Sequence, residues 1–196
     1  MYDYIKGEIV ELTPASAVIE CGGIGYEVLI SLQTFDALQG KKSAQIFVYH
    51  YIREDEQQFY GFAGKDEREL FKLLISVSGI GVSSARMMLS SLSDEEIRSA
   101  IISEDIHKIK SVKGIGLKSA QRLILELKDK IVKGEGAASA VPSFGYADPA
   151  VIDEAGTALV MLGFSKANIN KVLPEILKKN PDAKVEIIIK EALKRL

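Results

Sequence analysis

The sequence predicts a multidomain chain of mixed α and β class, with a small β-barrel first, an all-helical middle part and three short helices at the end. Three observations predict this order. β-Branched and aromatic runs stop near Phe62, a helical period follows from Asp66 to Lys133, and a segment rich in Gly, Ala, Ser and Pro then interrupts it. The 196 residues, 47% of them hydrophobic and 27% charged, have an ordinary globular composition.

Five short runs between Tyr4 and Phe62 have the composition of β-strands. Five strands in about sixty residues suggest a small closed barrel, because closure leaves no long exposed edge. The single cysteine, Cys21, is expected to be a small apolar residue buried in the second strand. A single cysteine also excludes an internal disulfide and a cysteine-rich zinc site. The five runs are YIKGEIVEL, SAVIEC, GYEVLIS, AQIFVYHYI and QFYGF.

The middle part shows the spacing of amphipathic helices. Ser93 with Glu96, and Asp66 with Glu69, have the spacing of N-terminal capping boxes. Gly134 is well placed to end the last helix of this part. The apolar stripe of that helix consists of Leu117, Ala120, Leu123, Ile124, Leu127 and Ile131.

The end of the chain is expected to form three short helices after a flexible linker. The first helix is expected to end at Gly163, and Ser165 is a candidate cap for the second. A tail of roughly 48 residues is close to the lower limit for an independent core. The predicted boundaries are 1–63 for the barrel, 64–134 for the middle part, 135–148 for the linker and 149–196 for the tail, with helices near 151–162, after Ser165 and near 185–196.

The middle part contains a repeat. SVSGIGVSSARMML begins at Ser76 and SVKGIGLKSAQRLI begins at Ser111, and seven of the fourteen aligned residues are identical. In each copy, alternate glycines allow a sharp turn and a close approach to a ligand, and the helix that follows exposes unpaired N–H groups. Such a turn can bind phosphate without reading a base, while Ile80 and Ile115 anchor each hairpin to its helices. Glycines that merely permit close helix packing would explain one copy, but two copies in register favour phosphate binding.

The charge distribution favours the second copy as an electrostatic site. The net charge is −2, and residues 1–62 hold four basic side chains against nine acidic ones. Residues 106–125 instead hold five basic side chains and no carboxylate. A solvated helix face is the alternative explanation for such a run. The five basic residues are Lys108, Lys110, Lys113, Lys118 and Arg122.

Other functional classes lack their motifs. A P-loop requires Gly-Lys-[Ser/Thr] after a strand, but Leu117 separates Gly116 from Lys118 and a helix precedes the turn. We therefore expect no ATP hydrolysis by this chain alone and no cofactor. His50 and His107 lack ligand-like spacing, so no metal site is expected. Neither a membrane-spanning run nor a signal peptide is evident, which favours a cytoplasmic protein without a membrane partner.

Four segments together carry a family resemblance: MYDYIKGEIVE, REDEQQFYGF, ELFKLLISVSGIG and KGIGLKSAQRLILELKDK. In this order they resemble the RuvA family, the Holliday-junction-binding subunits of the bacterial branch-migration machinery. The resemblance covers essentially the whole chain. It implies an OB-like barrel, a tandem helix-hairpin-helix domain and a UBA-like three-helix domain. It also implies that the protein forms a homotetramer on four-way junction DNA, with a RuvB-type AAA+ ATPase as a partner and a RuvC-type resolvase as a further partner. It leaves open whether one tetramer or two bind the junction.

The resemblance also assigns roles to residues. Glu54 and Asp55, with Glu56 as an additional carboxylate, match an acidic pin that keeps duplex DNA away from the crossover. The family often has a lysine after its first Gly-x-Gly, where this chain has Val82 and two serines, so the first hairpin must rely on backbone groups, hydroxyls and Arg86. The expected DNA-binding residues are Gly79, Ile80, Gly81, Ser83, Ser84, Arg86, Lys113, Gly114, Ile115, Gly116, Lys118, Ser119 and Arg122, and the expected motor-binding residues are Leu159, Met161, Leu162 and Phe164.

The residues themselves leave three alternatives to this function. A helix-hairpin-helix glycosylase or lyase needs a base-flipping pocket with an aromatic wall and a catalytic Asp or Lys soon after the hairpin, but the chain has no Trp and Asp129 lies within a regular helix. A single-strand binder would need aromatic residues among basic ones on the barrel, which is acidic here. A non-specific DNA-binding module is the third alternative.

Overall fold

The computed structural model describes residues 2–132, 149–180 and 183–196, which fall into two compact units. The predicted order of barrel, helical middle part and three C-terminal helices is confirmed. The first unit contains β1 (Tyr4–Leu12), β2 (Ser16–Cys21), β3 (Ile24–Ile30), α1 (Leu32–Leu38), β4 (Ser43–Ile52), β5 (Gln57–Phe62), α2 (Lys65–Ile75), α3 (Val82–Ser91), α4 (Asp94–Ile102), α5 (Ile106–Lys110) and α6 (Leu117–Val132). The second unit contains α7 (Pro149–Met161), α8 (Lys166–Lys179) and α9 (Val185–Leu193).

The five strands close into a barrel in the order β1-β2-β3-β5-β4. Neighbouring strands are antiparallel except for β3 and β5, which are parallel. Strand β1 pairs with β4 along its first half and with β2 along its second half, and the register shifts between Ile9 and Glu11. Successive side chains of a strand point to opposite faces, which fills the barrel with apolar residues. The buried set is Ile5, Ala17, Ile19, Val28, Ile30, Leu38, Ile46 and Val48.

Helix α1, which the sequence pattern did not predict, forms a buried polar joint with α2. Ser31 caps α1 by accepting a hydrogen bond from the N–H group of Thr34. The hydroxyl groups of Ser31 and Thr34 donate to the two carboxylate oxygens of Glu67, at 2.5 and 2.7 Å. Burial raises the pKa of Glu67, and these hydrogen bonds oppose that increase. The joint therefore connects the barrel to the first helix of the middle part.

The barrel and the helices of the first unit also share one hydrophobic core. The ring of Phe71 in α2 lies 5.3 Å from that of Tyr60 and 4.9 Å from that of Phe62, both in β5. Tyr49 of β4 contacts the same ring from 5.5 Å. Aromatic pairs at these separations contribute packing energy beyond the area that they bury. This continuous core gives the helices a fixed position relative to the barrel.

The helix starts confirm one capping box and contradict the other. Ser93 and Glu96 form both reciprocal hydrogen bonds at the start of α4. The box at Asp66 was wrong, because α2 begins one residue earlier, at Lys65, after Gly64. Asp66 lies inside the first turn, where a negative charge favours the positive end of the helix.

Two side chains that were expected to be buried are exposed. Cys21 ends β2 beside the Gly22-Gly23 turn, outside the barrel interior, and its side chain is exposed. Leu117 is exposed at the start of α6, whereas the other residues of that stripe are buried. The expected helix end at Gly134 and the linker lie outside the described residues, and the domain boundaries stay a prediction.

The three helices of the second unit enclose a small core of their own. Ser165 caps α8 as predicted, by accepting a hydrogen bond from the N–H group of Asn168. Gly163 follows α7 with a φ angle of 96°, which glycine adopts without steric cost. No helix in the described residues is long and apolar enough to cross a membrane. The core consists of Ile152, Ala155, Leu159, Ile169, Leu173, Ile176, Leu177, Ile188 and Ala192.

Candidate nucleic-acid interface

The two Gly-Ile-Gly segments form the same turn. In each, the N–H group of the isoleucine donates to the carbonyl group of a valine three residues earlier, at 3.0 Å in the first copy and 3.2 Å in the second. Gly79 and Gly114 have φ angles of 92° and 91°. L-residues rarely adopt this left-handed conformation, which glycine adopts freely. The sequence repeat is therefore a repeat of backbone conformation.

The two isoleucines anchor these turns. Ile80 and Ile115 are each 5% exposed and belong to the core that the helices share. Their anchoring role is confirmed. Because their side chains are buried, they are not available to a ligand, and we correct their place in the expected DNA-binding set accordingly.

The second glycine of each turn leaves open space in front of a helix start. The first helical hydrogen bonds run from the N–H groups of Ala85 and Ala120 to the carbonyl groups of Gly81 and Gly116. The three N–H groups before each of these bonds therefore have no partner within their helix. A Cβ atom on Gly81 or Gly116 would meet no atom within 4 Å, and neither residue has a positive φ angle. The chain itself does not require glycine here, so the free space suits a ligand that approaches the backbone.

The two hairpins pack against each other reciprocally. A Cβ atom on Gly79 would lie 3.8 Å from the Oγ atom of Ser119, and one on Gly114 would lie 4.0 Å from the Oγ atom of Ser84. The two glycines are equivalent residues of the repeat, and so are the two serines. Both serines are half-buried between the hairpins, whereas Ser83 is exposed. This packing fixes the spacing between the two helix starts.

Ion pairs reduce the positive charge that the sequence predicted around the second hairpin. Lys108 lies 3.0 Å from a carboxylate oxygen of Glu96, and the Nε atom of Arg122 lies 2.6 Å from one of Glu126. Both carboxylates come from outside residues 106–125, which is why the local count overestimated the charge. The expected excess of five charges is therefore corrected downward. Lys110, Lys113 and Lys118 are exposed and form no ion pair among the described residues.

Arg86, the expected cation of the first hairpin, contacts the barrel. Its Nη1 atom donates to the carbonyl group of Ala15, in the loop between β1 and β2, at 3.0 Å. At least one donor of the guanidinium group therefore has a structural partner. The first hairpin holds one cationic side chain, whereas three lysines without an ion pair among the described residues surround the second.

The acidic turn connects β4 and β5. Glu54, Asp55 and Glu56 are all exposed, and the N–H group of Arg53 donates to the carbonyl group of Glu56 at 2.8 Å. The Arg53 guanidinium group lies 5.1 Å from the ring of Tyr51. A short turn closed by one backbone hydrogen bond thus presents three adjacent carboxylates to solvent.

Charges of the acidic turn and of α3 both act on the hydroxyl group of Tyr60. Burial raises the pKa of Tyr60, the charge of Arg86 opposes that increase, and the charge of Glu56 adds to it. The hydroxyl group of Tyr60 donates to Gln58 at 3.1 Å.

Sequence reasoning missed two residues at this surface. Tyr60 has the aromatic pattern of a core strand, which gives no sign that charges of the acidic turn and of α3 act on its hydroxyl group. Gln33 lies in the unpredicted helix α1 and contacts the end of α3. Only the tertiary structure brings either residue to the hairpin.

The expected motor-binding residues divide into core and surface. Some of these four residues were expected to form the core of the tail itself, and Leu159, which is fully buried, and Phe164, which packs against the same core, do so. Met161 and Leu162 are 83% and 58% exposed at the end of α7.

Among the residues that the structure describes, no group of three His, Cys, Asp or Glu side chains could hold a metal ion.

Comparisons with known proteins agree with this architecture. The family model of the RuvA N terminal domain matches residues 1–61, that of the SAM-like helix-hairpin-helix tandem matches residues 71–129, and that of the RuvA C-terminal domain matches residues 150–196. Curated proteins of Bacteroides fragilis, Bacteroides thetaiotaomicron and Christiangramia forsetii are 56%, 54% and 47% identical, over the full length of both chains. Each is named Holliday junction branch migration complex subunit RuvA. Since the barrel, the tandem hairpins and the tail all match in the same order, the chain belongs to the RuvA family.

Proposed function

We propose that this chain binds four-way (Holliday) junction DNA and positions a RuvB-type AAA+ ATPase for branch migration in recombination and DNA repair. The chain itself contributes binding and no catalysis. Its named relatives support the function, and the two hairpins support the mechanism. Family membership also favours this function over the glycosylase or lyase alternative.

The observation that carries the mechanism is the reciprocal packing of two open helix starts. Each start offers unpaired N–H groups and the positive end of a helix, which together bind phosphate. Phosphate contacts fix the position of a duplex without reading its bases. Two such sites at a fixed spacing therefore hold a duplex arm in a sequence-independent manner, and Lys113 and Lys118 add electrostatic attraction at the second site.

The acidic turn supplies selectivity. Like charges repel at close range, so three carboxylates oppose the approach of the phosphate backbone of a continuous duplex. An open crossover leaves space for them at its centre. Glu54 and Asp55 therefore act as the pin, and Glu56 adds to the same field.

The assembly follows from the family. Four copies form a ring with the hairpins on its DNA-facing side and the acidic turns at its centre. The exposed Met161 and Leu162 contact the motor, and a RuvC-type resolvase is a further partner. The protein works in the cytoplasm, where the bacterial chromosome lies, and requires no cofactor to bind DNA.

The test of the function compares matched four-way, duplex and single-stranded DNA in a gel-binding experiment without cofactor. We expect the four-way junction to bind most tightly. Equal affinity for the junction and for a duplex of the same arms would contradict the proposal. Mass measurement with and without junction DNA distinguishes one tetramer from two.

The test of the pin combines Glu54→Gln and Asp55→Asn in one variant, which removes both negative charges. Selectivity that depends on repulsion disappears when the repulsive group is removed. Binding to linear duplex should therefore tighten more than binding to the junction, and the effect should shrink at high salt, where a Debye length of roughly 3 Å at 1 M screens the charges.

A matched control removes the same charge elsewhere on the barrel. Glu8→Gln with Glu20→Gln changes two exposed carboxylates that face each other across β1 and β2. Glu8 also pairs with Ser43, at the opposite end of β4 from the acidic turn. The control should leave the junction-to-duplex ratio unchanged. If the pin variant has the same ratio as the parent at low salt, the acidic turn is no pin.

A further inference from the structure

The barrel holds helix α3, which follows the first hairpin, by polar contacts near both ends. Arg86, in the second turn of α3, donates to the carbonyl group of Ala15 at 3.0 Å. Near its end, Ser90 accepts a hydrogen bond from the N–H group of Leu32, at 3.2 Å. Helix α6, which follows the second hairpin, instead forms its described ion pairs with residues of the helical part. Arg122 pairs with Glu126, and Lys128 pairs with Glu104. The first hairpin thus has polar attachments to the barrel that are not described for the second.

The main attachment at the end of α3 is the side chain of Gln33. Its Nε2 atom donates to the carbonyl group of Leu89 at 2.6 Å and to that of Leu92 at 2.7 Å. A glutamine amide has two N–H donors, so both are used. The last carbonyl groups of a helix have no partner within the helix. Gln33, a residue of α1 in the barrel, supplies that partner.

These attachments matter because the first hairpin carries a single cationic side chain, that of Arg86. Val82 and Ser83 stand where a lysine would provide attraction from a distance, and Arg86 is attached to the barrel. Backbone N–H groups bind phosphate only at hydrogen-bond distance. The contribution of this hairpin therefore depends on where α3 lies.

We propose that Gln33 is a positioning residue for junction selectivity: it fixes the first hairpin at the distance from the acidic turn that an open junction requires. This inference rests on the proposed function. Duplex binding needs the hairpins alone, and their packing against each other keeps their spacing when α3 shifts slightly relative to the barrel, so duplex binding tolerates such a shift. Junction binding needs the first hairpin on an arm and the acidic turn at the crossover at the same time. It therefore does not tolerate a displacement of α3 relative to the barrel. Preorganisation of this kind contributes affinity only to the ligand that uses both sites.

The test uses Gln33→Leu, which keeps the side-chain size, removes both donors and changes no charge. We expect the affinity for a four-way junction to fall by about three- to tenfold, as for other residues that couple two sites without touching the ligand. The affinity for a duplex of the same arms should change by less than about twofold, and the salt dependence of junction binding should not change, since no phosphate contact is lost. Fluorescence anisotropy with the full-length protein measures all three.

The matched control is Gln45→Leu, an exposed glutamine of β4 with no described side-chain hydrogen bond, which should behave as the parent. If Gln33→Leu does not fold, Ser90→Ala removes the neighbouring attachment and should lower the junction-to-duplex ratio by about twofold. A folded Gln33→Leu protein with the ratio of the parent overturns the positioning role and leaves the proposed function intact. Equal loss of both affinities overturns it as well. A parent protein that does not prefer junctions refutes the function and the inference together.

Discussion

Replacing Lys118 with alanine tests whether the second hairpin attracts DNA by charge. Lys118 lies in the first turn of α6, where unpaired N–H groups are also exposed, and it forms no ion pair among the described residues. Its ammonium group is therefore free to neutralise a phosphate. A lysine that does so releases a counterion from the DNA, and this release appears in the salt dependence of binding.

The magnitude follows from the number of contacts. One phosphate contact contributes about 0.9 to the slope of log K against log salt on duplex DNA. The parent should therefore lose about 3.5-fold more affinity per contact than the variant between roughly 50 and 200 mM salt. In a tetramer the change multiplies by the number of second hairpins that touch DNA. Junctions of two unrelated sequences should give the same change, because phosphate contacts read no bases.

The control variant is Lys108→Ala, which removes the same charge from the same hairpin. Lys108 already lies 3.0 Å from a carboxylate oxygen of Glu96, so it has a partner within the protein. We expect its removal to leave the slope close to that of the parent. The measurement is a series of anisotropy titrations at several salt concentrations. An unchanged slope for Lys118→Ala, or an equal decrease for both variants, would refute the assignment of the phosphate contact to Lys118.

Gly81→Ala should lower the free energy of unfolding by less than about 1 kcal/mol, because the backbone of Gly81 is unstrained and the space around it is open, yet it should weaken DNA binding. Gly79→Ala should lower the free energy of unfolding by about 1–2 kcal/mol in chemical denaturation, because the φ angle of Gly79 is 92°. Burial and the charge of Glu67 raise the pKa of Asp94 to about 6, so the folded protein binds more protons than the unfolded one between about pH 4 and pH 6, and stability falls as pH rises through that range. Asp94→Asn should remove this pH dependence and raise the free energy of unfolding at neutral pH by about 1 kcal/mol or less, because solvent screens the exposed part of the group. The measurement is the urea midpoint of the parent and of the variant across the pH range, and parallel curves for the two proteins would contradict the prediction. A protein that ends after Val132 should still bind junctions in a gel assay but fail to stimulate the motor; loss of junction binding by the folded fragment would show that the tail takes part in it.

The features that the sequence predicted correctly have local causes. The strands follow from runs of β-branched residues, and each hairpin follows from two glycines separated by one isoleucine. The capping box of Ser93 and Glu96 depends on residues three apart. In each case the residues that determine the structure lie within one turn or one strand. Pattern reasoning detects such features because it needs no tertiary information.

The features that were missed depend on partners that are distant in the chain. Helix α1 has only seven residues, and a joint with Glu67, more than thirty residues later, holds it in place. The charge of the second hairpin was overestimated because Glu96 lies twelve residues before Lys108. Leu159 could not be separated from its exposed neighbours because a short apolar run does not reveal which side faces the core. Tertiary packing decides each of these cases.

Selectivity by repulsion requires a rigid connection between the charge that repels and the groups that attract. The field of an exposed carboxylate falls off over about 8 Å at physiological salt, so a pin that drifts by a few ångströms loses much of its discrimination. In the proposed mechanism the hairpins attract phosphate from their own helix starts, while the acidic turn belongs to the barrel. Phe71 packs α2 against β4 and β5, the strands that carry the acidic turn, and Gln33 holds α3 from the barrel side. In the proposed mechanism, the shared core and these polar attachments fix three carboxylates relative to the hairpins, and this fixed position produces a preference for one shape of DNA that neither the barrel nor the hairpins could produce alone.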